Sequence, residues 1–219
     1  MASVKRMSAA LCGAVVGVLV LPGCELAGVV ASGMEETGSH KVFSEYEGLA
    51  DKTYAVVVDA DRSIQASWPS MVADVTARID AALADGTNAA GHVPARDVVL
   101  FLQTNPRWTT MTRKDLAQAL GGVDRIILIE LFEFRVNEPG NRYVWDGVAG
   151  GSVAVLETDG PFPEEYAYHR PMSVRFPDKQ GYGPDDFGAS LVSSALVKRF
   201  AQRCAWLFID HEEPNAITY

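Results

Sequence analysis

The 219-residue sequence is poor in cysteine, with only Cys12, Cys24 and Cys204. Three thiols so far apart cannot make the disulfide framework of a small secreted scaffold. Positive charge is also scarce, with 19 Lys and Arg against 28 Asp and Glu, a net charge of −9. That excludes a surface built for nucleic acid, whose phosphates need a basic face. It also excludes a polybasic membrane-binding surface. The most apolar uncharged run, Ala9 to Leu21, has 13 residues. A membrane-spanning helix needs about 20. Catalytic signatures are missing too: no G-x-S-x-G, no P-loop and no G-x-G-x-x-G. The histidines His40, His92, His169 and His211 stand in no metal-ligand spacing. No metal and no cofactor is expected.

What is present begins at the amino terminus. Lys5 and Arg6 precede the apolar run, and the run ends LPGC, Leu21 to Cys24. A short positive region, an apolar core and small closing residues describe an export signal. LPGC resembles a bacterial lipobox, although Pro22 stands where Ala or Ser is usual. The resemblance implies cleavage before Cys24 and a diacylglycerol on its sulfur. Two or three acyl chains give stable anchoring where one does not. The chain is then expected in the cell envelope, lipid-anchored on the periplasmic side. Glu25, in place of Asp after the cysteine, is compatible with outer-membrane sorting. Removal of residues 1–23 takes two cations and no acid, leaving a net charge of −11. Cys204 becomes the lone thiol and is expected to be buried.

The remaining chain reads as residues 24–50, a lipidated cysteine and Gly/Ser/Glu-rich tether, a single domain over 51–210, and a tail over 211–219. Thr53 to Val58 predicts a buried strand. Met71, Val72, Val75, Ile79 and Leu83 fall on one helical face, closed by Asp85-Gly86. Gly91 to Arg96 reads as loop, and VVLFL, Val98 to Leu102, as a second strand. Thr112 with Asp115 forms a capping-box-like start for a helix that stops at Gly121-Gly122. Asp124 to Val136 is the strongest strand, apolar on both faces in its first half. NEPGN, Asn137 to Asn141, turns it into a hairpin through Tyr143–Trp145 and Ser152–Leu156, with Gly147, Gly150 and Gly151 marking a bulge. Ser173 to Phe176 adds a strand. A helix from Asp186 to Phe208 carries the stripe Leu196, Phe200, Cys204, Leu207. The order β-α-β-α-β-β-β-α predicts an α/β fold, one mixed sheet with helices packed on it.

This order, the lipobox and the phrase LAQALGGVDRIILIEL, Leu116 to Leu131, resemble a group of envelope lipoprotein domains. The group includes the activators of penicillin-binding proteins, the curli-secretion lipoprotein and the amino-terminal domain of the Tol–Pal translocation protein. Glu130 stands where that group often has glycine. The resemblance implies binding or assembly without catalysis, with an envelope protein as partner. A homo-oligomeric ring or channel subunit is an alternative.

Chemical candidates are few. DADRSI, Asp59 to Ile64, resembles the first motif of haloacid-dehalogenase-type phosphatases, which implies Asp59 as nucleophile and Asp61 as acid/base beside magnesium. Such a site needs a lysine and a further acid pair. Asp185-Asp186 is a pair without a strand before it, and Lys114 and Lys179 lack context. The two acids are therefore read as a strand end. Glu130 interrupts the apolar central strand, as an edge acid, a partner of Arg135 or Arg175, or a pocket acid. Trp108 and Trp145 are candidate binding residues, solvent-facing anchors or core.

Overall fold

The computed structural model describes residues 38–215. Their centre is a five-stranded mixed sheet in the order β3-β2-β4-β5-β6. The strands are β2 (Thr53–Ala60), β3 (Gly91–His92), β4 (Arg125–Arg135), β5 (Gly147–Glu157) and β6 (Tyr166–Phe176). β2 pairs parallel with β3 and β4, and β4, β5 and β6 run antiparallel. A two-stranded ribbon, β1 (Ser39–Val42) with β7 (His211–Pro214), stands apart from it. The helices are α1 (Arg62–Ser67), α2 (Met71–Gly86), α3 (Ala95–Thr104), α4 (Arg113–Ala119) and α5 (Ala189–Trp206). The fold is mixed α/β, in an order that broadly follows the predicted one.

Alternation along β2 and β4 builds two cores. Val56 and Val58 with Ile127, Ile129 and Leu131 face α2 and α5. Ala55 and Val57 with Ile126 and Leu128 face α3 and α4. Both faces of these strands are dry, so both read as near-continuous apolar runs. Each fully buried Ile or Leu contributes about 1.5–3 kcal/mol. Cys204 lies in the first core, as expected, with Sγ 3.4 Å from Met172 Sδ. Burial pushes its thiol up.

Val98 to Leu102 is helical, not a strand. A strand would set Val98, Leu100 and Leu102 on one face. Instead Val98 and Leu102 are buried, Phe101 packs beside them, and Leu100 is 57% exposed. A five-residue apolar run fits either period, and here the helical spacing finds the sheet. Gly91–His92 is likewise a short strand rather than loop.

The hairpin forms, with its second strand starting at Gly147 and Tyr143–Trp145 left outside it, and the bulge lies on β4. Leu131 pairs with Gly151 and Glu133 with Gly150, so Phe132 is the extra residue. The β5 glycines serve a different end. A Cβ on Gly147 would stand 2.8 Å from Leu196, and one on Gly151 would stand 2.9 Å from Phe200. They let α5 lie close on the sheet. Thr112 Oγ1 accepts from the Asp115 N–H at 3.1 Å, and Gly121 and Gly122 take φ of +92° and +75° past the end of α4.

Residues 39–49 and 211–214, read as tether and tail, belong to the fold. They supply the ribbon, and Tyr46 and Leu49 join the first core. Buried Arg125 ties this segment to the sheet through Gly48 O at 3.1 Å, with Asp159 paired to the same guanidinium. Tyr46 Oη donates to Glu157 at 2.8 Å.

Candidate functional site

Asp59, next to last in β2, is in register with Glu130 of β4, and Glu130 is in register with Ser152 of β5. The three lie on the sheet face that α3 and α4 cover only further along. Glu130 is exposed, and its Oε2 accepts from Ser152 Oγ at 3.1 Å. Of the alternatives weighed for Glu130, the pairing with Arg135 or Arg175 is not made. Arg135 binds Glu133 at 3.1 Å and Asp146 O at 2.7 Å, while Arg175 lies 3.8 Å from Asp146. Burial first, then the Glu130 charge, holds the Asp59 carboxyl above its usual range, against a lowering bond from the Ala60 backbone. Asp61 is exposed at the start of α1 and makes no side-chain cap bond. Asp185 stands in the loop between β6 and α5. Among the described residues, no three His, Cys, Asp or Glu side chains gather as a metal site.

The two tryptophans have structural surroundings. Trp145 is buried, and its Nε1 donates to Phe187 O at 2.9 Å, so of the two placements weighed it takes the core one. Trp108 sits half-buried in a single 3-10 turn, Trp108–Thr110, against the second core. Cys24 lies outside the described residues.

A groove of about 340 Å³ runs between the outer edge of β6, the end of α5 and the ribbon. Phe43, Arg170, Met172, Arg203, Trp206 and His211 line it, with Glu45 and Glu213. Trp206 and His211 stack at 4.2 Å, and His211 binds Ile209 O through Nδ1 at 3.0 Å and Glu213 through Nε2 at 3.2 Å. Arg203 also pairs with Glu213. Across the groove Arg170 lies 3.7 Å from Glu45, to which Tyr168 Oη donates at 2.7 Å. Burial, then Glu45, pushes the Tyr168 phenol up. Phe43 is 67% exposed.

β6 is eleven residues long and, among the described residues, has β5 as its one strand neighbour. Its charged and titratable side chains are His169, Arg170 and Arg175 besides tyrosines, with no acid among them. Pro171 lies mid-strand, a residue confined to edges because it lacks an N–H. The sequence reading missed this region. The alternation of Lys41-Val42-Phe43 and of His211 to Pro214 carried a weak strand signal, yet each run is too short to stand out from a tether or a tail.

Among the described residues no helix is long and apolar enough to cross a membrane. No family model matches the chain, and no curated protein does. Solved structures are similar in backbone arrangement. A PelC dodecamer from Paraburkholderia phytofirmans shares 13% identity over 79% of this chain and 99% of that one, with a TM-score of 0.44. Lipoprotein GNA1162 from Neisseria meningitidis shares 14% over 68% and 98%, with a TM-score of 0.43. A protein from Xanthomonas campestris shares 9% over 75% and 89%, with a TM-score of 0.37. At these values the likeness assigns this chain no function.

Proposed function

We propose that this chain is a bacterial envelope lipoprotein, anchored through Cys24, that works as a non-catalytic binding or assembly module for another envelope component. The observation that carries the reading is the placement of LPGC. It closes the apolar run at Cys24, ahead of the described domain. The domain then works close to the bilayer, on the periplasmic side, with the outer membrane as the favoured site.

The partner-binding surface is the outer edge of β6 beside the groove. An open strand edge can take an extended segment of another chain, with backbone bonds supplying affinity and side-chain pockets selectivity. β6 carries cations and no acid in a chain that is otherwise acidic, so the segment it fits is an extended, acidic one. The ion pairs of Arg170 and Arg175 are long, at 3.7 and 3.8 Å, and both side chains are more than half exposed. They can be exchanged for a partner's carboxylates at small cost.

The test is cross-linking in intact envelopes, then detergent extraction and purification through a carboxyl-terminal tag. A Cys24→Ala chain and an Arg170→Glu/Arg175→Glu chain run beside it. One reproducible partner, weakened in both variants, supports the reading. Self-cross-links alone favour an assembling subunit. No specific cross-link speaks against both and directs attention to phosphatase assays on Asp59→Asn.

A further inference from the structure

Two buried side-chain atoms have no hydrogen-bond partner among the described residues, Tyr54 Oη and Asp80 Oδ1. Both belong to one junction, where β2, β3, α2 and α3 meet. Tyr54 is fully buried and Asp80 is 7% exposed. His92 joins them. Its ring stacks on Tyr54 at 5.5 Å, and its Nε2 lies 3.7 Å from Asp80 Oδ2. That same Oδ2 accepts the Ala95 N–H, the first of α3, at 3.0 Å. The carboxylate is therefore used on one side only. Thr76, the other buried polar side chain of α2, donates to Val72 O at 2.6 Å and supplies no proton to Asp80.

Buried oxygens in folded proteins almost always have a partner, in protein or in ordered water. A water is credible where a polar site has room for it and offers it at least two polar groups. Here the two orphaned atoms have complementary chemistry. Burial and then the Asp80 charge push the Tyr54 phenol up, so it keeps its proton and can donate. A carboxylate oxygen can only accept.

We infer that one internal water molecule is bound at this junction, accepting from Tyr54 Oη–H and donating to Asp80 Oδ1. The ligand is water, and the site joins the central strand to α3. By holding Asp80 in place, the water fixes the acceptor that anchors the first amide of α3. Nothing in this depends on the lipoprotein reading.

The test is a crystal structure of the full chain, carrying Cys24→Ala, at a resolution that shows ordered water. The expected result is a peak within hydrogen-bond distance of both Tyr54 Oη and Asp80 Oδ1. A direct Tyr54–Asp80 hydrogen bond, an empty junction, or a peak with the contacts of a metal ion overturns it. Tyr54→Phe keeps the ring stack and removes the donor. It should abolish or displace the peak and speed amide exchange at Ala95 several-fold. A peak unmoved in that variant, or unchanged Ala95 exchange, also overturns the bridge.

Discussion

Trp206 at the end of α5 and His211 at the start of β7 stack face to face, 4.2 Å apart and 9° from parallel. Four residues of chain lie between them, and the stack fixes how the ribbon leaves the helix. Trp206→Ala should cost about 1–2 kcal/mol, the area lost plus the ring pairing. The loss should concentrate in the ribbon. Amide exchange across Ser39–Val42 and His211–Pro214 should quicken well before that of β4. Uniform quickening would show that the stack supports the whole domain instead.

Asp59 gives a pH dependence of definite sign. Its carboxyl is held above the ordinary aspartate range by burial and by Glu130, so the folded chain binds that proton more tightly than the unfolded one. Its contribution to stability therefore falls as pH rises from the unfolded value through the folded one, and at neutral pH the ionised group opposes folding. Asp59→Asn should leave neutral-pH stability unchanged or raise it by about 0.5 kcal/mol, and flatten the acid limb of the stability curve. Glu130→Gln should move Asp59 back toward its usual range. Denaturant titrations across pH, with carboxyl titration by NMR, would check both.

The helical assignment of Val98 to Leu102 separates neighbouring residues sharply. Val98→Asp places a charge in the second core and should cost more than about 3 kcal/mol. Leu100→Glu, on the exposed side, should stay within about 0.5 kcal/mol. Equal costs in thermal melts would contradict the helix.

Gly151→Ala would push a methyl group toward the Glu130 backbone and the Phe200 ring. We expect a loss of about 1–3 kcal/mol from overpacking. Gly121→Ala meets open space but sits at φ of +92°, so its cost should come from backbone strain alone, of order 1 kcal/mol. Phe200→Leu should partly rescue Gly151→Ala and leave Gly121→Ala unchanged.

Much of this architecture was readable in residue patterns. β2, α2, β4 and α5 carry long, consistent periods, so they stand in the sequence nearly as they stand in the fold. Cys204 fell in a helical stripe, and its burial followed. Val98 to Leu102 failed because five apolar residues satisfy two periods at once, and only the available sheet face chooses between them. Glu130 found Ser152 rather than an arginine because that pairing depends on strand register, which a single sequence does not display. The groove escaped for a similar reason. Phe43, Arg170, Trp206 and His211 come from four separate segments, and nothing local announces that they meet.

The β1–β7 ribbon also has a mechanical meaning. Its outermost rung joins Ser39 to Pro214, and the chain ahead of Ser39 leads toward Cys24. A pull arriving from that side loads the rungs one after another, as a zipper is opened, instead of shearing them together. Such a pull would reach the outer rung of the ribbon before it reached Tyr46, Leu49 and the central sheet.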